Sequence, residues 1–389
     1  MKLTPLSVGY VPLVDAAPLM VADQMGFAET EGLALELVPA PSWSSLRDMV
    51  AFGKVGAAHM LSVVPVAMAM GLGGMTTPLS AALVMSVNGN VIGVGRALEA
   101  RLREQGYGFD FADAAAAGAA LARAADGPLV IGAPFPFSMH VELLHYWFAA
   151  TPLSGLPIEI RTVPPPMMAQ ALAEGEIDAF CVGEPWGSVS VENGAGALLL
   201  PGKAIWSFAP EKVLAVRSDW AEADPQLLGR LMRAVWRAGR WLSQPDSHTA
   251  AAELLSRRGY LDIPPEVVDR ALSGRLTITP GGEQRRSEGL VEFHAGAANF
   301  PWRSQAKWMA AQLAARHGLD REAAIRAAGQ VYRTDLYRRH MAGVGAELPS
   351  ASEKLEGAIL HPTAVPTQAG RLTLQPDTFF DRRIFDPSA

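Results

Sequence analysis

The stretch ALAEGEIDAFCVGEPW, residues 171–186, carries a whole structural unit in one line. A polar helical segment stops at Gly175, where a residue without Cβ suits the left-handed position that ends helices. A short apolar run, IDAFCV, follows, and then Glu184 stands against Pro185 and Trp186. Helix, glycine, one charged residue and an apolar strand make the αβ unit of a parallel-sheet protein. DMVAFGKVGAAHML, residues 48–61, reads the same way. Two copies of one unit predict two similar lobes; the competing reading is that any αβ turn favours glycine.

Outward from these two units, β-rich runs alternate with helical patterns up to about residue 215. LSVGYV, LALELVPA, GAAHML, LSAALVMSV, PLVIGAPF, IEIRTV, IDAFCV and KVLAVRSDW mark the strands, and their alternation with helices predicts parallel α/β sheets. Beyond about residue 220 the pattern turns helical, in PQLLGRLMRAVWRAGRWL, SQAKWMAAQLAAR and REAAIRAAGQVYRTDLYRRHM, and residues 112–125 form another helix. The expected organisation is 1–88 as the first part of one lobe, 89–205 as the second lobe, 206–343 as a return to the first lobe with helical segments, and 344–389 as a wrapping tail in which GRLTLQP adds an edge strand.

Composition narrows the function. With 49% hydrophobic residues the chain can bury large cores, and a net charge of −6 with both signs interspersed leaves no basic footprint for direct nucleic-acid binding. Cys181 is the single cysteine, so neither an internal disulfide nor a CxxC metal site can form. The N-terminal MKLTPLSVGYVP has no charged, long-apolar leader pattern, which predicts a cytoplasmic protein, and no apolar run reaches membrane-spanning length. There is no GxxxxGK[ST] and no GxSxG, and GVG at 93–95 falls short of a dinucleotide turn. His140 and His145 sit about 140° apart around one helix and cannot share a metal. The expectation is a binding protein, not an enzyme, with no cofactor and no metal.

Ligands of open α/β sheets gather beyond the carboxyl ends of the strands, where helix N-termini present free N–H groups. Trp43 follows a strand there, before a helix capped by Ser42, Ser44 or Ser45, and offers an indole N–H donor. His140 lies in the first turn of a helix capped by Ser138. The run VPPP ends at Pro166, a rigid, dry wall beside the first helical position. Lys212 stands at the start of a strand returning from the second lobe, and Asn88 and Asn90 flank Gly89 at the first crossing between lobes. Donors, one cation and apolar walls suit a small planar anion better than a reacting substrate.

PSWSSLRDMV, SVNGN, PFSMHVELLHYW, VPPPMMAQALAEGEIDAFCVGEPW, APEKVLAVRSDW and NFPWRSQAKWM together resemble, in the same order, the nitrate- and bicarbonate-binding proteins of the periplasmic-binding-protein superfamily. The resemblance implies a two-lobed α/β fold of the type II periplasmic-binding-protein class, with a hinge and helical C-terminal additions. It implies Trp43, Asn90, His140, Pro166 and Lys212 as the anion pocket, with Asn90 standing where relatives tend to carry glutamine. A lysine favours nitrate or nitrite, whose oxygens only accept, over bicarbonate, whose O–H wants an acceptor. A carboxylate aimed into such a pocket would repel the ligand. Glu184, with Gly89, is therefore expected behind it, accepting hydrogen bonds from backbone or from Lys212. The leaderless start resembles the cytoplasmic nitrate/nitrite sensors of this family, which implies an RNA-binding antitermination regulator as partner; a solute-binding receptor of a nitrate or other small-anion ABC importer is the alternative.

Overall fold

The computed structural model describes residues 2–346, 348–367 and 370–388. Strand β1 (Thr4–Tyr10) pairs in parallel with β2 (Leu33–Pro39) and with β3 (Ala57–Leu61). β4 (Leu79–Asn88) is buried along its whole length. The chain then leaves this sheet: Asn88 and Gly89 take positive φ of 60° and 98°, and β5 (Asn90–Gly95) already belongs to a second sheet. β6 (Leu129–Ala133), β7 (Ile158–Thr162), β8 (Ala179–Gly183) and β9 (Gly196–Pro201) complete that sheet in the order β7-β6-β8-β5-β9. β10 (Pro210–Arg217) returns to the first sheet. A small hairpin of β11 (Arg275–Thr277) and β12 (Gln284–Arg286) precedes β13 (Val291–Glu292), and the first sheet reads β13-β4-β10-β3-β1-β2.

Both sheets are mixed, which corrects the expectation of parallel ones. β10 is antiparallel to β3 and β4, and β5 is antiparallel to β8 and β9. The reason is topological: a strand crossing from one sheet enters the other at the end where the parallel strands finish, and so must run back against them. β5 and β9 were not among the expected strands; NVIGVG and GALLLP are short and glycine-bearing, a weak strand signal. Gly93 is needed, because a Cβ there would lie 2.3 Å from the Phe180 ring.

The helical region follows its apolar periodicity. Helix Pro225–Leu242 starts with Asp224 accepting from the Leu227 N–H at 3.1 Å and Pro225 at the first position, and buries Leu228, Leu231, Val235 and Leu242 on one face. Arg303–His317 is continuous. REAAIRAAGQVYRTDLYRRHM is instead split into Arg321–Ala328 and Thr334–Met341, because the Val331 carbonyl and the Arg333 N–H bond to the backbone of Ala81 in β4. Within the tail, β15 (Gly370–Leu374) pairs with β14 (Thr363–Thr367) in a hairpin of its own, so GRLTLQP does not extend either main sheet. No helix among the described residues is long and apolar enough to cross a membrane.

The tail is bound by chemistry that the body lacks without it. Lys354 pairs with Glu356 at 2.5 Å and with Asp377, and Glu356 accepts from Ser304 Oγ of helix Arg303–His317 at 2.5 Å. Phe379 is fully buried and stacks on Trp206 and Trp308, with centroids 4.8 and 5.6 Å away.

Glu184 joins the lobes. Its carbonyl accepts from the Val14 N–H of the first lobe at 2.9 Å, its N–H donates to the Gly89 carbonyl at 3.0 Å, and Oε2 accepts from the Ser188 N–H at 3.2 Å. Burial pushes this carboxyl up to about 7, against the Ser188 hydrogen bonds and the charge of Arg270, which oppose the shift.

Two outcomes are expected. Phe379→Ala should cost about 3–5 kcal/mol in urea unfolding, as deletion of a fully packed aromatic does; a change below about 1 kcal/mol would mean the tail is merely appended. For Glu184, the unfolded carboxyl loses its proton near its ordinary value of 4.5 while the folded one keeps it to about 7. The native state therefore binds more protons in that window, and wild-type stability should fall on raising the pH through it, by roughly 3 kcal/mol. Glu184→Gln should remove this fall; parallel profiles would show that Glu184 ionises normally.

Candidate functional site

β10 decides where the site lies. Running antiparallel, it brings its first residues to the carboxyl ends of β3 and β4, with Lys212 opposite Leu61 and Ser86. Asp15 arrives from the 3-10 turn Val14–Ala16 that follows β1, and Trp43 from the first position of helix Trp43–Ala51 after β2. Ser42 is the cap of that helix, accepting from the Ser45 N–H at 3.2 Å. From the second lobe, His140 sits in the first turn of helix Met139–Ala149, capped by Ser138. Asn90 opens β5 opposite Gly183, the last residue of β8. Gly183 lets the lobes approach here, since a Cβ would stand 2.6 Å from Leu13 Cδ2 of the facing lobe and that side chain would have to shift.

The result is a charged cluster sealed between the lobes. Lys212 Nζ donates to Asp15 Oδ2 at 2.6 Å and to Glu211 Oε1 at 2.8 Å. Asn90 Nδ2 donates to Glu211 Oε2 at 2.6 Å, and His140 Nδ1 lies 3.5 Å from Glu211 Oε1. His59 Nε2 lies 3.0 Å from Asp15 Oδ1. The Trp43 ring covers the group, 5.5 Å from the ammonium and 5.7 Å from the His59 ring. His59, His140, Glu211 and Lys212 are all 0% exposed.

Burial in this cluster sets protonation. It opposes charge on Lys212, but Asp15 and Glu211 outweigh it and hold the ammonium above its ordinary range. Burial also opposes ionisation of Asp15, yet Lys212 and His59 leave that carboxyl well below the carboxylate range. Glu211 is pushed up by burial, with Asp15 adding and Lys212 opposing. Both histidines are pushed down by burial and by Lys212, which favours the neutral imidazole, and His140 falls further because it lacks the Asp15 hydrogen bond that opposes the shift at His59. Lysine is thus a fixed cation, and the imidazoles can each donate through one ring nitrogen. Trp43 Nε1, Asn90 Oδ1 and the ring nitrogens of His140 are buried with no protein hydrogen-bond partner among the described residues. Unpaired buried donors beside a cation are what a small anion could use.

Four of the five expected pocket residues, Trp43, Asn90, His140 and Lys212, therefore converge. Pro166 does not join them: it is exposed in the 3-10 turn Pro165–Met167 beyond β7, an edge strand, while Pro165 is the buried proline of the run. Lys212 is not a lone ammonium, and Glu184 does not hold it; Asp15 and Glu211 do, because they reach Nζ from both flanks while Glu184 is spent on Ser188. Asn90 uses its amide N–H on Glu211, which turns Oδ1 into its free atom. Sequence reading missed Asp15 and His59. The signals were there: Asp15 is the only acid in the apolar run 11–22, and His59 is the only polar residue of strand AAHML. A groove of about 500 Å³ lies elsewhere, lined by Tyr146, Trp308, Arg316 and Phe379, but Arg316 is engaged by Glu142 and Tyr146 by Asp381.

Known proteins place this fold. The structure matches the crystal structure of the periplasmic nitrate-binding protein NrtA from Synechocystis PCC 6803 with a TM-score of 0.83 at 26% identity, covering 100% of this chain and 96% of that one. In sequence, the nitrate/nitrite binding protein NrtA of the same Synechocystis strain is 28% identical over 397 residues, covering 99% of this chain and 83% of the relative. The nitrate import ATP-binding protein NrtC of Synechocystis is 32% identical over 324 residues, 79% of this chain but 45% of the relative, so the chain spans less than half of that protein. The alkanesulfonate-binding protein SsuA from Xanthomonas axonopodis pv. citri shares the fold alone, at a TM-score of 0.58, 18% identity and coverage of 84% of this chain and 98% of that one. The architecture is the two-lobed, mixed α/β fold of periplasmic binding proteins. With the NMT1-like family model matching residues 1–256, the chain belongs to the NMT1-like family.

Proposed function

We propose that this protein binds nitrate or nitrite between its lobes and serves as the solute-binding component of an ABC-type anion importer. The observation that carries the reading is the sealed junction at which Lys212, the unpaired Trp43 indole N–H and the His140 ring meet from two lobes. Likeness to NrtA over almost the whole chain supports the choice of anion. Because these groups have no solvent access, the ligand enters an opened form and the lobes close on it, with the crossings at Asn88–Gly89 and between β9 and β10 as the natural hinge. A binding protein of this kind turns nothing over; affinity for the closed form is the whole output.

The finer reading, a cytoplasmic sensor that holds an RNA-binding antitermination regulator until the anion binds, uses the same pocket. The relatives are named as nitrate and bicarbonate transport components, which favours the importer role. Affinity capture with and without nitrate separates the two, since only the sensor retains such a regulator in anion-free buffer.

Titration calorimetry with nitrate, nitrite, bicarbonate, chloride and sulfate should give heat with the first two and little with the rest. At 100 times its dissociation constant nitrate should stabilise the fold by roughly 2.7 kcal/mol. Trp43→Phe keeps the ring and deletes the N–H, and should weaken nitrate by about 1.5–3 kcal/mol, the usual worth of a hydrogen bond to a charged group. Unchanged affinity in Trp43→Phe would place the anion away from this junction.

A further inference from the structure

We infer that the anion enters this site together with one proton, which the His140–Glu211 pair holds. The inference rests on the anion reading above and adds its stoichiometry. The reason is charge. Two acidic groups, Asp15 and Glu211, already face the single ammonium of Lys212 at 2.6 and 2.8 Å, and the Asp15 carboxylate alone balances the cation before any ligand arrives. An additional anion in a space closed to water would leave the junction strongly negative.

Among the described residues, nothing else packed against Glu211 supplies a compensating positive charge. Asn90 on β5 is neutral and spends its N–H on Glu211, leaving Oδ1, an acceptor, unpaired. Cys181 on β8 and Tyr332 are buried, and burial pushes both well above their ordinary values, so neither is charged and neither is a cation in any case. His59 faces Asp15 rather than Glu211 and is kept neutral by burial. A bound metal ion is disfavoured too, since the described residues contain no group of three or more His, Cys, Asp and Glu placed to hold one. What remains is a proton, and the acceptors are in position: His140 Nδ1 lies 3.5 Å from Glu211 Oε1, outside a hydrogen bond but near enough for a proton on either group to be stabilised by the other. Burial already raises Glu211, and a neighbouring nitrate would raise both groups further.

The balance is simple: free protein, nitrate and one proton go to the closed complex, and no bond other than N–H or O–H is made or broken. Nitrate affinity of the wild-type protein, measured by calorimetry from about pH 6 to about pH 9, should therefore fall by about tenfold per pH unit on its alkaline limb. On that limb the heat should vary with the ionisation enthalpy of the buffer, corresponding to uptake of one proton. Glu211→Gln, which removes one acidic group, should flatten the limb and bind nitrate more tightly than wild type near pH 9. Affinity independent of pH, with heat independent of buffer, would overturn the proton while leaving the anion site intact. Affinity that rises with sodium, potassium or calcium at constant ionic strength and shows no pH slope would assign the compensation to a metal ion and overturn it equally. Absence of heat with every anion at every pH would remove the anion reading and this inference with it.

Discussion

A buried ammonium cannot stand alone, and the organisation of this molecule follows from how Lys212 is satisfied. Taking a charge out of water is costly unless partners replace its hydration. Here the partners come from positions far apart in sequence, Asp15 from the turn after the first strand and Glu211 from the residue beside Lys212. Asn90 then attaches the second lobe to the Glu211 carboxylate, with His140 Nδ1 3.5 Å from it. The closed arrangement of the lobes and the protonation of the site are therefore one problem. A change in the charge at the junction shifts the balance between open and closed forms.

The topology makes that junction possible. Each sheet receives one strand that crosses from the other lobe, β5 in one and β10 in the other, and both run against their parallel neighbours. Reversal puts the first residues of each, Asn90 and Lys212, at the carboxyl ends of the parallel strands, where the helix N-termini bearing Trp43 and His140 also lie. Close approach is allowed by glycine: Gly89 carries the positive φ of the crossing, and Gly183 leaves room for Leu13. The tail adds a second fastening, with Phe379 packed on both Trp206 and Trp308, which also touch each other, and Asp381 accepting from Tyr146 of the helix that presents His140.

Much of this was legible in the residues. The αβ unit ending in Gly175, the serine caps before Trp43 and His140, and the apolar face of Pro225–Leu242 are local patterns, and local patterns survive folding. Strand direction is not local. KVLAVRSDW reads as a strand whichever way it runs, so the antiparallel return of β10 was invisible, and with it the pairing of Lys212 with Asp15. Glu184 stands against proline and tryptophan, and of its two expected partners, backbone or Lys212, its carboxylate takes the backbone N–H of Ser188. Pro166 carried the wrong neighbour in the same run: Pro165 turns inward while Pro166 faces solvent. REAAIRAAGQVYRTDLYRRHM shows the same limit, since its helical periodicity is continuous while a backbone bridge to Ala81 breaks it.

The most direct measurement is a crystal structure of the protein grown with nitrate. The charge arrangement predicts a planar anion between the lobes, within hydrogen-bonding distance of Trp43 Nε1, a His140 ring nitrogen and Lys212 Nζ, with Asp15 still on the ammonium. Density for nitrate only on the outer surface, with Lys212 held by its two carboxylates and no anion beside it, would contradict it.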